Sequence, residues 1–317
     1  MTTSAVRSQP ISRSPAQELR TSTAAVRVSF CWMGVRKTLT TEQKSQAAES
    51  FGAQGEYLSA RKKLLDTSHP AYKAVTAVRG KVKAYWKGCT LPFPEPGVRL
   101  IKQAKVASLN DSMLDFRSEL DTSVIRLDEH YESLRLAAQR KLGSLYCASD
   151  YPVSLRGLFA LDWEFPSVEP PDYLMELNPA IYDQEKARVA SRFDEAVQLA
   201  EQAFVNEFAK LVAHLTERLS GGASSEKKIF RDSAISNLIG FFERFKELNV
   251  RSNQDLDQLV EQAQRIVGGV EPQELRDNDG LRQQVATQLS GVQSVIDGMM
   301  IDRPRRTIVR NRAVGGN

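Results

Sequence analysis

Between Gly97 and Gly143 the chain runs for forty-five residues without a proline or a glycine. These two residue types are the strongest breakers of helices, so their absence leaves a long helix as the natural outcome. Within the stretch Val106, Leu109, Met113, Phe116, Leu120, Val124, Leu127, Tyr131 and Leu134 recur at spacings of three and four, and Ala138, Leu142 and Leu145 continue the series. One apolar stripe on a helical period predicts a helix with a coiled-coil-like seam. A second such run opens at Asn178-Pro179, a capping side chain followed by a ring whose fixed φ suits the first helical position. Phe193, Val197, Ala200, Phe204, Phe208, Leu211, Leu215 and Leu219 carry it on to Gly221-Gly222. At 1.5 Å per residue each helix would be roughly 60–70 Å long. Two matched seams predict an antiparallel helical hairpin over residues 101–222.

The connection between the two runs, residues 148–177, would form the tip of that hairpin. It holds Tyr151, Phe159, Trp163, Phe165 and Tyr173, with six acidic residues against the single Arg156. Either these rings close the tip as a small aromatic cap, or they form a surface that docks a partner protein.

Upstream, residues 26–100 read as a small α+β head. Residues 27–39 alternate Val, Phe and Trp with polar residues and predict a strand bent at Gly34; residues 41–66 predict a helix capped by Thr41, ended by His69-Pro70. Residues 71–87 predict a second helix that places Val75, Val78, Val82, Tyr85 and Trp86 on one face. Arg79, Lys83 and Lys87 form a basic stripe beside that face and Lys81 lies on the opposite flank. Such a helix buries its aromatics and lays basic stems along their edge, which leaves the stripe available to an anionic partner. Glu95-Pro96-Gly97-Val98 fits a type II turn between two short strands, the first confined to an edge by Pro92 and Pro94. After Gly222, three shorter helices are expected over 226–300: one around 229–248, one capped by Ser252, and one from Pro272 to about Asp297. In residues 301–317, RTIVRNR alternates like a strand that returns to the head. Residues 1–25 read as a disordered tail without the apolar core of a secretory signal.

Charge is unevenly spread. Residues 1–110 hold 18 Lys/Arg against 6 Asp/Glu, and residues 111–300 hold 20 against 32. The last 17 residues hold 5 against 1, the five being Arg303, Arg305, Arg306, Arg310 and Arg312. These arginines, with Arg61-Lys62-Lys63 and the Arg79/Lys81/Lys83/Lys87 helix, make a candidate nucleic-acid surface. The three cysteines are widely spaced and form no CxxC pair, as expected of a reducing cytoplasm without a cysteine-based metal site. No apolar run approaches the length of a membrane span. The chain has no phosphate-binding loop, dinucleotide fingerprint, HExxH or GxSxG. His130 and His214 would stand at different heights of the hairpin, too far apart to share a metal. No catalytic residue, metal site or cofactor is expected.

The succession VSFCWMGVRKTL, ARKKLLD, VKAYWKGCTLPFPEPGVRLI, a long helix and then LDWEFP resembles an uncharacterised bacterial and phage family, a domain of unknown function associated with mobile elements. Genes of that family can lie near a MoxR-type AAA+ ATPase and a von Willebrand factor A-type protein. The resemblance implies an accessory to an AAA+ remodelling system and no catalytic residues. The residues themselves predict a mainly α protein with a small β element, acting as a non-enzymatic scaffold or adaptor that docks partners through the hairpin tip and the basic head. The alternative is a nucleic-acid-binding accessory protein of a mobile element.

Overall fold

The computed structural model describes residues 13–220 and 232–301. The chain divides into two compact units, one comprising Ser22–Leu91 and Glu95–Asp172, the other Met1–Thr21, Pro92–Pro94 and Tyr173–Asn317. It is mainly α-helical with a small antiparallel sheet. The described chain begins with α1 (Pro15–Ser22), β1 (Thr23–Trp32), β2 (Arg36–Thr38), α2 (Thr41–Glu49) and β3 (Arg61–Lys63). It continues through α3 (Pro70–Gly88), β4 (Leu91–Pro92), β5 (Val98–Lys102), α4 (Val106–Glu129), α5 (Tyr131–Leu142) and β6 (Phe159–Glu164).

In the first unit the sheet order is β4-β5-β1-β6, all around the ten-residue β1. The first half of β1 pairs with β5 from Thr23↔Lys102 to Arg27↔Val98, and its second half with β6 from Arg27↔Glu164 to Trp32↔Phe159. Arg27, at the changeover, bonds Glu95 and Glu164 at 2.8 Å each. Helix α4 packs on α3 and β6. The core they enclose contains Val26, Val75, Val78, Ile101, Leu109, Met113, Leu120 and Leu161.

Several sequence expectations are corrected here. Residues 15–25 belong to α1 and β1 rather than to a tail, because Ser14 and Gln17 form a reciprocal capping box that starts the helix. The helix expected over 41–66 stops at Glu49. Its cap is Thr40, paired reciprocally with Gln43, and Gly52 at φ +62° closes its end, with Ala53 N–H bonding back to the Ala48 carbonyl. Arg61-Lys62-Lys63 is therefore a strand, not a helical segment. The long helix is split at His130, whose N–H turns back to Leu127 and Asp128, and α5 ends at Gly143 with φ +53°. The type II turn stands as expected, with Gly97 at φ +79° and Val98 N–H bonding Glu95 O at 3.1 Å.

The second unit contains α6 (Tyr173–Leu177), α7 (Pro179–Leu219), α8 (Ser233–Leu248), α9 (Gln254–Val267), α10 (Glu274–Asp277) and α11 (Asp279–Ile301). Asn178 caps α7 by accepting from Ala180 and Ile181 N–H, and the helix runs for 41 residues. Its seam is filled by α11 and α8, where Phe204 and Phe208 meet Phe241, Phe242 and Phe245. Asn253 rather than Ser252 caps α9. The expected antiparallel hairpin is not confirmed: α4 packs on α3 and β6, and α7 on α11 and α8. An apolar stripe specifies that a face is buried, not which element buries it. Residues 148–177 carry the edge strand β6. The expected strand at 306–312 lies outside the described residues.

Candidate nucleic-acid interface

Strands β2 and β3 form a separate two-stranded ribbon with the register Arg36↔Lys63, Lys37↔Lys62 and Thr38↔Arg61. Leu39 N–H bonds Ala60 O at 3.1 Å and extends the pairing by one step. Five of its six strand residues are cationic. Successive side chains of a strand point to opposite faces and directly paired residues share a face. Lys37 and Lys62 therefore occupy one face, and Arg36, Lys63, Thr38 and Arg61 the other.

The two faces are handled differently. Lys62 is buried, and its Nζ donates to Leu145 O at 2.6 Å and meets Asp150 at 2.7 Å; Lys37 reaches the same carboxylate at 2.5 Å. Asp150 has a side chain only 2% exposed. The hydrogen bonds from Lys37 and Lys62 hold its carboxyl below the usual carboxylate range, and the Lys37 ammonium is raised in return. Beside it, the exposed Cys147 thiol is lowered by hydrogen bonds from Ser149. On the outer face, Arg36, Arg61 and Lys63 are all exposed, and no carboxylate of the described residues lies within 4.0 Å of them. Phe51 and Tyr57, on the excursion between the two strands, are 83% and 87% exposed.

Helix α3 places the basic stripe of Arg79, Lys83 and Lys87 otherwise than a free surface would require. The Arg79 guanidinium lies over the rings of Phe30 and Trp32 at 5.3 and 4.9 Å, with its Nε buried and unpartnered, and Lys83 Nζ lies 5.7 Å from the Phe30 ring. Lys81 pairs with Glu119 at 2.5 Å across to α4. Lys87 is exposed. Of this helix Lys73, Lys83 and Lys87 are exposed and in no ion pair with a carboxylate of the described residues. Arg303, Arg305, Arg306, Arg310 and Arg312 lie outside the described residues.

The aromatic set expected at the tip is dispersed. Tyr151 and Phe159 are buried in the core, and Phe159 meets Trp32 edge-on at 5.0 Å. Trp163 is half-buried, donating Nε1–H to Asn110 Oδ1 at 3.1 Å under the Arg117 guanidinium at 4.4 Å. Phe165 and Tyr173 are exposed. Three of the five rings are thus engaged inside their own unit. A shallow cavity of about 400 Å³ between α4 and β6 is lined by Arg117 and Arg156, yet both are already held, by Asp162 and Asp128 respectively.

Sequence reasoning passed over Arg36, Lys37, Asp150, Phe51 and Tyr57. The signal was the recurrence of basic residues at both ends of a 22-residue excursion that holds two glycines, Gly52 and Gly55; the strand pairing itself had no apolar alternation to reveal it. It also missed that His69 and His130 lie with ring centroids 5.2 Å apart. Among the described residues no group of three or more His, Cys, Asp or Glu is placed to hold a metal, and no helix is long and apolar enough to cross a membrane. A scan against protein-family models and searches of curated proteins and solved structures gave no match to the chain.

Proposed function

We propose that this chain binds nucleic acid through the outer face of the β2–β3 ribbon, with Arg36, Arg61 and Lys63 contacting phosphates. The observation that carries the reading is the contrast between the two faces. Like charges directly opposite each other on neighbouring strands repel. The inner pair, Lys37↔Lys62, is compensated by Asp150, whereas the outer pair, Arg36↔Lys63, has Arg61 beside it and no carboxylate of the described residues within 4.0 Å. A phosphate chain supplies that missing anion. Residues 22–91, which contain the ribbon, hold twelve Lys/Arg against four Asp/Glu, so the local field favours a polyanion.

The test is binding of the full chain to labelled single- and double-stranded oligonucleotides over a salt series. Binding is expected to weaken steeply with salt. The triple variant R36A/R61A/K63A is expected to flatten the slope of log K against log salt by about 2–3, each lost phosphate contact being worth about 0.7–0.9. Absence of binding at low salt, or a triple variant with the native slope, removes the reading.

A second reading, the protein-docking adaptor, is favoured by one observation. Tyr173, Met175, Leu177 and Ile181, on and just after α6, are all exposed apolar side chains. Its accessory role to an AAA+ ATPase or a von Willebrand factor A-type protein rests on the family resemblance. A partner retained by the native chain and by the ribbon variant but lost from Tyr173→Ser/Leu177→Ser would support it; equal retention by both variants would count against it.

A further inference from the structure

Phe51 and Tyr57 are the most exposed aromatic side chains among the described residues, at 83% and 87%. Both lie on the same excursion, residues 39–60, that joins the two basic strands. Tyr57 stands four residues before Arg61, so at most about 14 Å separate their Cα atoms.

The backbone under these rings is built rather than loose. Gly52 and Ala53 N–H bond back to the Glu49 and Ala48 carbonyls at 3.0 Å, a closure in which the small Ala48 side chain is buried and the Phe51 ring is left outside. A single turn of 3₁₀ helix, Gly55–Tyr57, packs on α2, and Gly55 sits so close to Ser45 that an added Cβ would lie 2.7 Å from its Oγ. Tyr57 and Leu58 N–H bond Gln54 and Gly55 carbonyls at 3.1 Å. The excursion therefore holds two aromatic faces out in water on the segment that joins the strands of the three exposed cations. Exposed single apolar residues are ordinary. Two fully presented rings on the one loop that links a cationic ribbon are a combination with a chemical meaning, because bases stack on rings while phosphates pair with arginine and lysine.

We infer that the ligand of the ribbon is a single strand, its phosphates running along Arg36, Lys63 and Arg61 and its bases stacking on Phe51 and Tyr57. This rests on the nucleic-acid reading above and narrows it. A duplex offers the phosphates but keeps its base faces covered, so only an unpaired strand uses both features. Stacking on a ring is tolerant of sequence, since every base has a π-face, and the inference predicts little base preference.

The experiment uses the full chain with three fluorescein-labelled probes of one sequence: a DNA strand, the corresponding RNA strand and the DNA duplex, followed by anisotropy at low and at raised salt. The native protein is expected to bind a single strand more tightly than the duplex, and the tighter of the two strands identifies the sugar. Loss of one stacking ring is expected to weaken single-strand binding about 5- to 150-fold. Phe51→Ala/Tyr57→Ala should therefore lose at least about 25-fold on the single strand, with duplex affinity and the salt slope unchanged. Phe51→Tyr/Tyr57→Phe keeps both rings and should retain native affinity. Equal binding of strand and duplex by the native chain, or native single-strand affinity in the double alanine variant, overturns the inference while leaving the phosphate contacts intact. No binding of any probe overturns both readings. Both side chains are exposed, so their truncation leaves folding unperturbed, which a thermal melt of each variant checks.

Discussion

Lys37 and Lys62 stand directly opposite each other on β2 and β3, an arrangement that by itself would push the strands apart. Asp150 lies between their ammonium groups at 2.5 and 2.7 Å, and the Lys62 and Asp150 side chains are only 6% and 2% exposed. Removing one member of a buried ion pair leaves the other charge uncompensated, which costs about 3–5 kcal/mol. Asp150→Asn is therefore expected to lower stability at neutral pH by about that amount in urea unfolding. The pH dependence has a definite sign. The two lysines hold the Asp150 carboxyl below its ordinary value of 3.8, so its contribution is complete above that value and is lost as pH falls through the lower, folded one. The stability gap between the native protein and Asp150→Asn should narrow as pH falls below about 3.8. Asp66, held down to about 2 chiefly by the hydroxyl and N–H of Ser68, titrates in the same acid range. It is present in both proteins, so their difference isolates Asp150.

At the scale of the element, the excursion from β2 to β3 depends on two glycines for separate reasons. Gly52 supplies the positive φ that ends α2, and Gly55 supplies the absence of a side chain where the backbone meets Ser45. Gly55→Ala places a Cβ 2.9 Å from the Ser45 backbone as well as 2.7 Å from its Oγ, and backbone cannot swing aside as a side chain does. The expected result is a local one. Amide hydrogen exchange of residues 41–57 should accelerate, while protection of β1 and β5 stays native. Acceleration throughout the sheet would show instead that the excursion is part of the unit's main cooperative core. Capping was legible only in part: Asn178-Pro179 starts α7 as expected, whereas the caps of α2 and α9 are Thr40 and Asn253 rather than the expected Thr41 and Ser252. The ribbon was not, because Arg36–Thr38 and Arg61–Lys63 carry no apolar alternation and are paired by backbone hydrogen bonds that any side chains permit.

Over the whole molecule, charge and fold divide along similar lines. Residues 22–91 carry the basic excess, whereas residues 173–300 carry twenty acidic against fourteen basic residues. A polyanion is thereby attracted to one segment and repelled by the other, which is the long-range form of the selectivity proposed for the ribbon. What the sequence determined by itself was local: the helical content, the start of α7, the type II turn at Glu95–Val98, and the apolar faces of α3, α4 and α7. Each follows from side chains within one or two turns of one another, through caps, φ preferences and periodicity. Even the strand β6 was present as the period-two run Phe159, Leu161, Trp163, although the sequence reading placed that run in a hairpin tip. Only the tertiary structure decided which faces meet. Phe159 and Tyr151 became core, Arg79 was laid over Phe30 and Trp32, and Asp150 came to rest between two lysines 113 and 88 residues before it. Apolar burial is non-directional, so a stripe can be satisfied by several partners of equal chemistry. The choice among them is made by the joint packing of all elements, and with it the choice of which cations remain free to meet a ligand.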